Sequence, residues 1–397
     1  MTYVPFEWKA LESAYYHQVF RRAPVTLVRG EGTRVWDETG REFLDFVAGI
    51  AVNTLGHAHP ELTSAITAQA RTLLHTSNLF YTVPQLEVAM RLVAHSSLDR
   101  VFFVNSGAEA TETCIKVARK YGKLQRGGAY EIITTARSFH GRTLATTAAT
   151  GTRAYQEPFD PMPQGFVQVP YNDLDAMEDA ITDKTVALMV ELVQAEGGVW
   201  PADPAYALGL RELCDARGLL LILDEVQTGI GRTGRLFAYE HYLIRPDLMA
   251  LAKGLGGGLP IGAALSTERC SVLKPGDHGS TFSGNPLVCT AARVTLDHVL
   301  APGFLEQVRM KGAMTVRRLR EMGATTGRIT DVRGLGLLVG FDLETTELAD
   351  RIVAYARDHG LLIIKVAANT IRLVPPLNVT PPEIDQALDI IESALRA

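Results

Sequence analysis

The sequence predicts an α/β fold: a mostly parallel sheet with helices on both faces, joined to a smaller α+β unit. Three observations carry this expectation. From Pro60 to about residue 300, helical stripes alternate with short apolar runs. Those runs are continuously apolar, the mark of strands buried on both faces. Beyond about Ala301 the alternation gives way to a different order of elements. A chain of 397 residues is long enough for two or three domains at roughly 100–200 residues each, and for a large core.

Between Val25 and Phe46, apolar and polar residues alternate around VWDETGREFLDF, with Gly40 free to take positive φ, which predicts an amino-terminal hairpin. Helical stripes follow at three-to-four spacing: Leu62, Ala65, Ile66 and Leu73; Ala110, Cys114, Val117, Ala118 and Tyr121; Tyr206, Leu210, Leu213 and Cys214. Each is expected to face the core. The interleaved strands are expected at Val101–Val104, Glu131–Thr135, Val186–Val190, Leu219–Leu223, Leu248–Ala252 and Gly262–Leu265. The carboxyl-terminal part predicts a helix around Phe304–Met322. Strands then follow at Leu335–Val339, Leu361–Ile364 and Ile371–Val374, and a last helix at Pro382–Leu395. There is no internal repeat and no low-complexity linker, so the units are expected to pack tightly together.

Composition excludes several classes. With 39 basic and 44 acidic side chains the formal net charge is −5, and no Arg or Lys pair extends into the basic stripe that nucleic acid requires. No uncharged apolar run approaches the ~20 residues of a membrane span. MTYVPFEWKALESAYYH lacks the basic and apolar regions of a secretory leader. Cys114, Cys214, Cys270 and Cys289 are too scattered for metal-ligand spacing and suggest a reducing compartment, so a cytoplasmic enzyme without a metal is expected. His57 and His59 in GHAHP lie two apart with no third ligand nearby, which favours structural hydrogen bonds over a metal pair.

Three segments carry chemistry. VFFVNSGAEATE (Val101–Glu112) runs from a strand through Ser106-Gly107 into a helix, and Ser106 with Glu109 fits a capping box. The free N–H groups at such a helix start attract phosphate; a simple cap is the alternative. LLLILDEVQTGIGRTG (Leu219–Gly234) ends a buried strand in Asp224. Ligands of open α/β sheets sit at strand carboxyl ends, where a carboxylate can hold a ring-nitrogen proton, bind a metal or cap a loop. GIGRTG also spells GxGxxG. Dinucleotide binding is nevertheless rejected, because the glycines neither follow the strand directly nor open a helix. In PDLMALAKGLGGGLPIGAAL (Pro246–Leu265) a strand delivers Lys253 to its end, followed by Gly254, Gly256, Gly257, Gly258 and Gly262. These glycines are expected to clear room for a bulky ligand beside an amine able to form a Schiff base, whereas an ordinary lysine would snorkel to solvent.

Phosphate site, ring-nitrogen carboxylate and Schiff-base lysine are together what pyridoxal phosphate requires. The chain resembles the class III (fold-type I) pyridoxal-phosphate aminotransferases, most closely the branch that acts on N2-acetylornithine. The resemblance runs from GIAVNTLGHAHPEL (Gly49–Leu62) through NSGAEATE, SFHGRT, DEVQTGIGRTG and AKGLGGGLPIG to GSTFSGNPL and IRLVPPLNVT. It implies a central mixed, mostly parallel seven-stranded sheet. It also implies a large cofactor-binding domain over 61–300, with 1–60 and 301–397 forming the small domain.

The resemblance implies roles as well. Lys253 would bind the cofactor and shuttle the proton, and Asp224 would keep the ring nitrogen protonated. Gln227 would reach the ring oxygen and Phe139 would stack on the ring. Ser106, Gly107 and Ala108 would hold the phosphate. Thr281 would reach the phosphate from the neighbouring subunit, which implies a homodimer with shared active sites. Arg142 would bind a substrate carboxylate and Arg372 the second carboxylate of 2-oxoglutarate, with Glu196 masking Arg372 in the other half-reaction and Ser280 also touching substrate.

Two departures qualify the match. ELVQAEGG (Glu191–Gly198) replaces a usual proline and glycine by Leu192 and Ala195, and Ile50 stands where ornithine-specific members carry tyrosine, which favours an acylated donor. The expected reaction converts N2-acetylornithine and 2-oxoglutarate to N-acetylglutamate 5-semialdehyde and glutamate, in arginine synthesis. Alternatives are succinyl-diaminopimelate, ornithine, a carrier-linked lysine or 4-aminobutyrate as donor. Further off stand an aminomutase of the glutamate-semialdehyde type and, on GIGRTG alone, a nicotinamide oxidoreductase.

Overall fold

A computed structural model describes residues 8–397. The first seven residues, part of the stretch behind the expectation that the chain has no secretory leader, lie outside the described residues. The centre is a seven-stranded sheet. Its order is Arg100–Val104, Gly262–Ser266, Leu248–Leu251, Leu220–Asp224, Thr185–Val190, Glu131–Thr135, Phe166–Val169. Gly262–Ser266 runs antiparallel to both neighbours and the other pairings are parallel. The strands Thr185–Val190, Leu220–Asp224 and Leu248–Leu251 are buried at every residue, as their unbroken apolar text predicts. Phe166–Val169 is an edge strand that the sequence reading did not find.

Helices cover both faces. In Gly107–Gln125, Ala110, Cys114, Val117 and Ala118 are buried, and in Pro204–Arg217 so are Tyr206, Leu210, Leu213 and Cys214. The expected stripe of Pro60–Thr72 behaves otherwise: Leu62 alone is buried, Ala65 and Ile66 are half-buried, and Leu73 is exposed. Leu74, Leu79, Phe80, Tyr81, Val83, Leu86 and Met90 extend this exposed apolar surface.

The predicted amino-terminal hairpin is Arg34–Asp37 with Glu42–Asp45, Gly40 taking φ +86° at its turn, and Leu27–Glu31 adds a third antiparallel strand. Leu361–Leu362 then joins the same sheet in parallel with Leu44–Asp45. Leu44 and Phe46 pack into one apolar cluster with Phe341, Ile371, Leu388 and Ile391, so the two chain ends share a core. The expected strand Leu335–Val339 is broken by a turn at Gly336-Leu337. Strands Ile329–Leu335 and Leu338–Leu343 flank it, and Gly336 at φ +55° reverses the chain. The expected Leu361–Ile364 strand divides into Leu361–Leu362 and Ile364–Val366, which serve different sheets. The helices Phe304–Thr326, Thr346–Asp358 and Pro381–Arg396 back this unit, the second of them unpredicted.

No helix among the described residues is long and apolar enough to cross a membrane. The four cysteines are free and buried, and burial pushes the thiols of Cys214 and Cys289 up to about 12.

Candidate active site

The parallel strands end on one edge of the large sheet, and the loops leaving Val104, Thr135, Val190, Asp224 and Leu251 line a cavity of about 480 Å³. The cavity brings together Ser106, Gly107, Ala108, Phe139, Arg142, Glu196, Asp224, Gln227 and Lys253 of the predicted set. Arg372 joins them through Glu196: its Nη1 lies 2.6 Å from Glu196 Oε1. Ser280 and Thr281 stand outside the lining. Ser280 Oγ accepts from Asn105 Nδ2 at 3.0 Å, and Thr281 is exposed.

The helix Gly107–Gln125 starts at the cavity. Ser106 caps it by accepting from Glu109 N at 3.2 Å, but the Glu109 carboxylate takes Asn105 N instead of closing the expected box on Ser106 N. The glycines after Lys253 do not clear space for a ligand, as the sequence had suggested. A Cβ on Gly254 would stand 2.6 Å from Thr54 Oγ1, on Gly257 2.8 Å from Thr295 Oγ1, and on Gly262 2.6 Å from the Ser106 carbonyl oxygen. The run is glycine because neighbouring chain packs directly on it. Only Gly258 of the five lines the cavity.

Lys253 follows the buried strand in the left-handed region, φ +40°, an unusual conformation for a side-chain-bearing residue that aims its amine into the cavity. Burial lowers its pKa to about 8, with Arg372 adding to the effect and Glu196, Asp224 and Glu191 opposing it. Its Nζ makes no hydrogen bond among the described residues. Asp224 is fixed from both sides: Val226 N donates to Oδ1 at 3.0 Å, and His140 Nδ1 lies 2.8 Å from Oδ2. His140 is itself held, its N–H donating to Thr150 Oγ1 and its carbonyl accepting from Thr111. The SFHGRT text alone gives no sign of the bond from His140 to Asp224.

Burial, reinforced by the Asp224 charge, pushes Glu191 well above the usual carboxylate range, against the pull of the Phe139 N–H and Lys253. Its Oε1 accepts that Phe139 N–H at 2.9 Å and so fixes the loop carrying the ring. For Glu196 burial also acts upward, but Arg372, Lys253 and Gln227 outweigh it and hold the carboxyl below its ordinary value. Arg333 stabilises the loop that bears Glu196: its Nε and Nη2 donate to the Gly198 carbonyl at 2.9 and 2.6 Å, and its guanidinium lies 3.6 Å from the Trp200 ring centre. Nothing in DVRGLG signals that role.

Pyridoxal phosphate fits this donor set. A free buried amine, a carboxylate braced by an imidazole, an aromatic ring and a helix start bare of side chain at Gly107 face one cavity. Gln227 Oε1, Arg372 Nε and Arg372 Nη2 are buried polar atoms without partners among the described residues, of the kind that a bound polar molecule would satisfy. His57 Nε2 pairs with Asp45 Oδ2 at 2.7 Å and His59 Nδ1 caps Leu62 N, so both act structurally, as expected. Among the described residues no group of three or more His, Cys, Asp or Glu is arranged to hold a metal ion.

Comparison with known proteins agrees with this geometry. The family model described as aminotransferase class-III matches residues 15–395. The chain is 50% identical over 385 residues to an acetylornithine aminotransferase of Caldanaerobacter subterraneus, covering 97% of this chain and 98% of that one. Identity to the acetylornithine aminotransferase of Methanocaldococcus jannaschii is 48% over 388 residues, 97% of each. Among solved structures, the N-acetylornithine aminotransferase of Stenotrophomonas maltophilia matches with a TM-score of 0.84 at 37% identity, covering 98% of both chains. The ornithine aminotransferase of Toxoplasma gondii ME49 matches with a TM-score of 0.94 at 33% identity, covering 98% of this chain and 94% of that one.

Proposed function

The chain belongs to the class-III aminotransferase family, and from that membership we propose that it transfers the terminal amino group of N2-acetyl-L-ornithine to 2-oxoglutarate. The products are N-acetyl-L-glutamate 5-semialdehyde and L-glutamate, and the reaction serves arginine synthesis. Pyridoxal phosphate is the cofactor. When bound, it supplies an electron sink and stores the amino group between the two half-reactions.

The residues divide the remaining work. Lys253 Nζ anchors the cofactor, then takes and returns the proton at the donor's terminal carbon; an amine titrating at about 8 is close enough to neutrality to do both. Asp224, held by His140 and Val226, accepts the ring N–H. Ser106, Gly107 and Ala108 hold the phosphate at the helix start, where dipole and free N–H groups favour an anion. Gln227 serves the ring oxygen and Phe139 the ring face. Arg142 grips the carboxylate common to both substrates.

The observation that carries the reading is the Arg372–Glu196 pair at the rim of a cavity that also holds Arg142. N-acetylornithine brings one carboxylate and an uncharged acylated nitrogen, whereas 2-oxoglutarate brings two carboxylates. A second arginine covered by a displaceable acid serves both in turn. Ile50 supports the acylated donor: two residues from the cavity-lining Val52, it offers no polar group to a charged α-nitrogen.

We also propose a cytoplasmic homodimer with shared sites. Leu79, Phe80, Tyr81, Val83 and Phe282 form exposed apolar surface beside Thr281, a surface suited to burial against a second copy. Ser280 and Thr281 would then complete the neighbouring subunit's site. The working division is a cofactor-binding unit over 61–300, flanked by a small unit built from 1–60 and 301–397.

A panel of amino donors assayed with 2-oxoglutarate tests the function. N2-acetylornithine should give the highest kcat/KM. A higher value with ornithine, succinyl-diaminopimelate or 4-aminobutyrate would overturn the substrate, and a colourless protein that binds NAD would overturn the class. Sedimentation at micromolar concentration tests the dimer, which a monomer of unchanged specific activity would refute.

A further inference from the structure

We infer that Tyr155 is a positioning residue for the substrate carboxylate, holding the Arg142 guanidinium against its ring; this rests on the reading of Arg142 as the carboxylate clamp. The Arg142 guanidinium carbon lies 3.8 Å from the Tyr155 ring centre and 5.5 Å from that of Phe139. The two rings stand edge to face, 6.2 Å apart at 89°. Arg142 is exposed, lines the cavity, and has neither ion pair nor hydrogen bond among the described residues. Stacking on a ring face leaves all the N–H groups on the rim of the guanidinium plane available to a carboxylate. A long free arginine would otherwise have to be ordered at the moment of binding.

The position of Tyr155 is built into the fold. It rides on the short helix Arg153–Gln156, and the buried Gln156 pins that helix by donating Nε2 to the Thr150 carbonyl at 2.8 Å and to the Thr147 and Ala148 carbonyls at 3.3 Å. An Arg153–Asp160 ion pair closes the far side. Thr150 Oγ1 in turn accepts from His140 N, so the support for Arg142 and the support for Asp224 share one framework. The Tyr155 hydroxyl makes no hydrogen bond among the described residues, so the ring face is the working part.

The holoenzyme tests this through three variants. Tyr155→Leu keeps apolar bulk and removes the π face, and it should raise KM for N2-acetylornithine and for 2-oxoglutarate by about tenfold, with kcat at saturation within about twofold of the parent. Calorimetric affinity for glutarate, a non-reacting dicarboxylate, should weaken by a similar factor. Tyr155→Phe should remain near the parent in both measurements. Unchanged KM and glutarate affinity in Tyr155→Leu would overturn the proposal, and so would equal impairment of Tyr155→Phe. Arg142→Ala separates the two levels: if it leaves KM unchanged, the clamp itself falls, whereas an impaired Arg142→Ala beside a normal Tyr155→Leu removes only the positioning role.

Discussion

Glu196 Oε1 lies 2.6 Å from Arg372 Nη1, while Nε and Nη2 of the same guanidinium, in a fully buried side chain, have no partner among the described residues. One acid therefore covers one corner of a cation with two donors to spare. Arg232, whose pKa is lowered to about 9 chiefly by burial and further by the neighbouring Arg372 charge, adds a second positive charge. The locality is one anion short, and a second substrate carboxylate would supply it.

Removing that acid should expose Arg372 in both half-reactions. Glu196→Ala is expected to lower the ratio of kcat/KM for N2-acetylornithine to that for ornithine by about tenfold, since a bare guanidinium can hold an α-carboxylate with the free α-amine turned toward Lys253, a pose that acylation of that amine forbids. Steady-state kinetics with the two donors decide it. An unaltered ratio would show that Glu196 does not gate Arg372.

His140 should matter through its hydrogen bond to Asp224 and not through its bulk. His140→Leu removes the donor behind Oδ2 and is expected to lower kcat by about tenfold, in the range typical of a lost hydrogen bond to a charged group. His140→Asn retains an N–H near the Nδ1 position and should recover most of the loss. Equal damage in both variants would assign His140 to packing alone.

Much of this architecture was legible because its signals are local. Continuous apolar runs marked six of the seven sheet strands, and Asp224 and Lys253 stood at strand ends where chemistry is expected. What escaped depends on contacts distant in sequence. His140 finds Asp224 across 84 positions, and Arg333 finds the Gly198 carbonyl across 135. Neither spacing leaves a pattern in the chain. The glycine-rich GIGRTG motif forms a clasp: Arg232 Nη1 donates to the Leu337 and Pro375 carbonyls at 3.0 and 2.6 Å, and Leu337 N donates back to the Arg232 carbonyl. The exposed side of Pro60–Thr72 misled because an amphipathic stripe reports burial without saying against what.

The buried amine of Lys253 should reveal itself in cofactor uptake. Burial lowers its pKa from 10.5 to about 8, so the neutral, nucleophilic fraction grows about tenfold per pH unit below 8 and saturates above it. Mixing cofactor-free enzyme with pyridoxal phosphate from pH 6.5 to 9.5 and following the visible band should show a rate that levels off near 8. A rate still climbing steeply at pH 9.5 would mean an ordinary, solvated lysine. Lys253→Ala should fold normally and show no multiple turnover.

Glu225, next to Asp224, offers a stability test with a definite sign. Its oxygens accept N–H from Ala238 at 2.6 Å and Tyr239 at 2.9 Å, fixing the loop that carries Gln227, yet burial raises its pKa to about 7. Between the ordinary value of 4.5 and about 7 the folded chain holds more protons than the unfolded one, so this group's contribution falls as pH rises through that window, by roughly 3 kcal/mol in all. Glu225→Gln cannot titrate, and its amide nitrogen must face one of two backbone donors, at a cost of about 1–3 kcal/mol. The parent should therefore be clearly more stable than Glu225→Gln at pH 5, and the gap should close toward pH 8, where the parent buries a charge the variant lacks. Denaturant unfolding at pH 5, 6, 7 and 8 measures the gap. A gap that stays constant or widens with pH would show that Glu225 is ionised throughout and that its two N–H donors outweigh its burial.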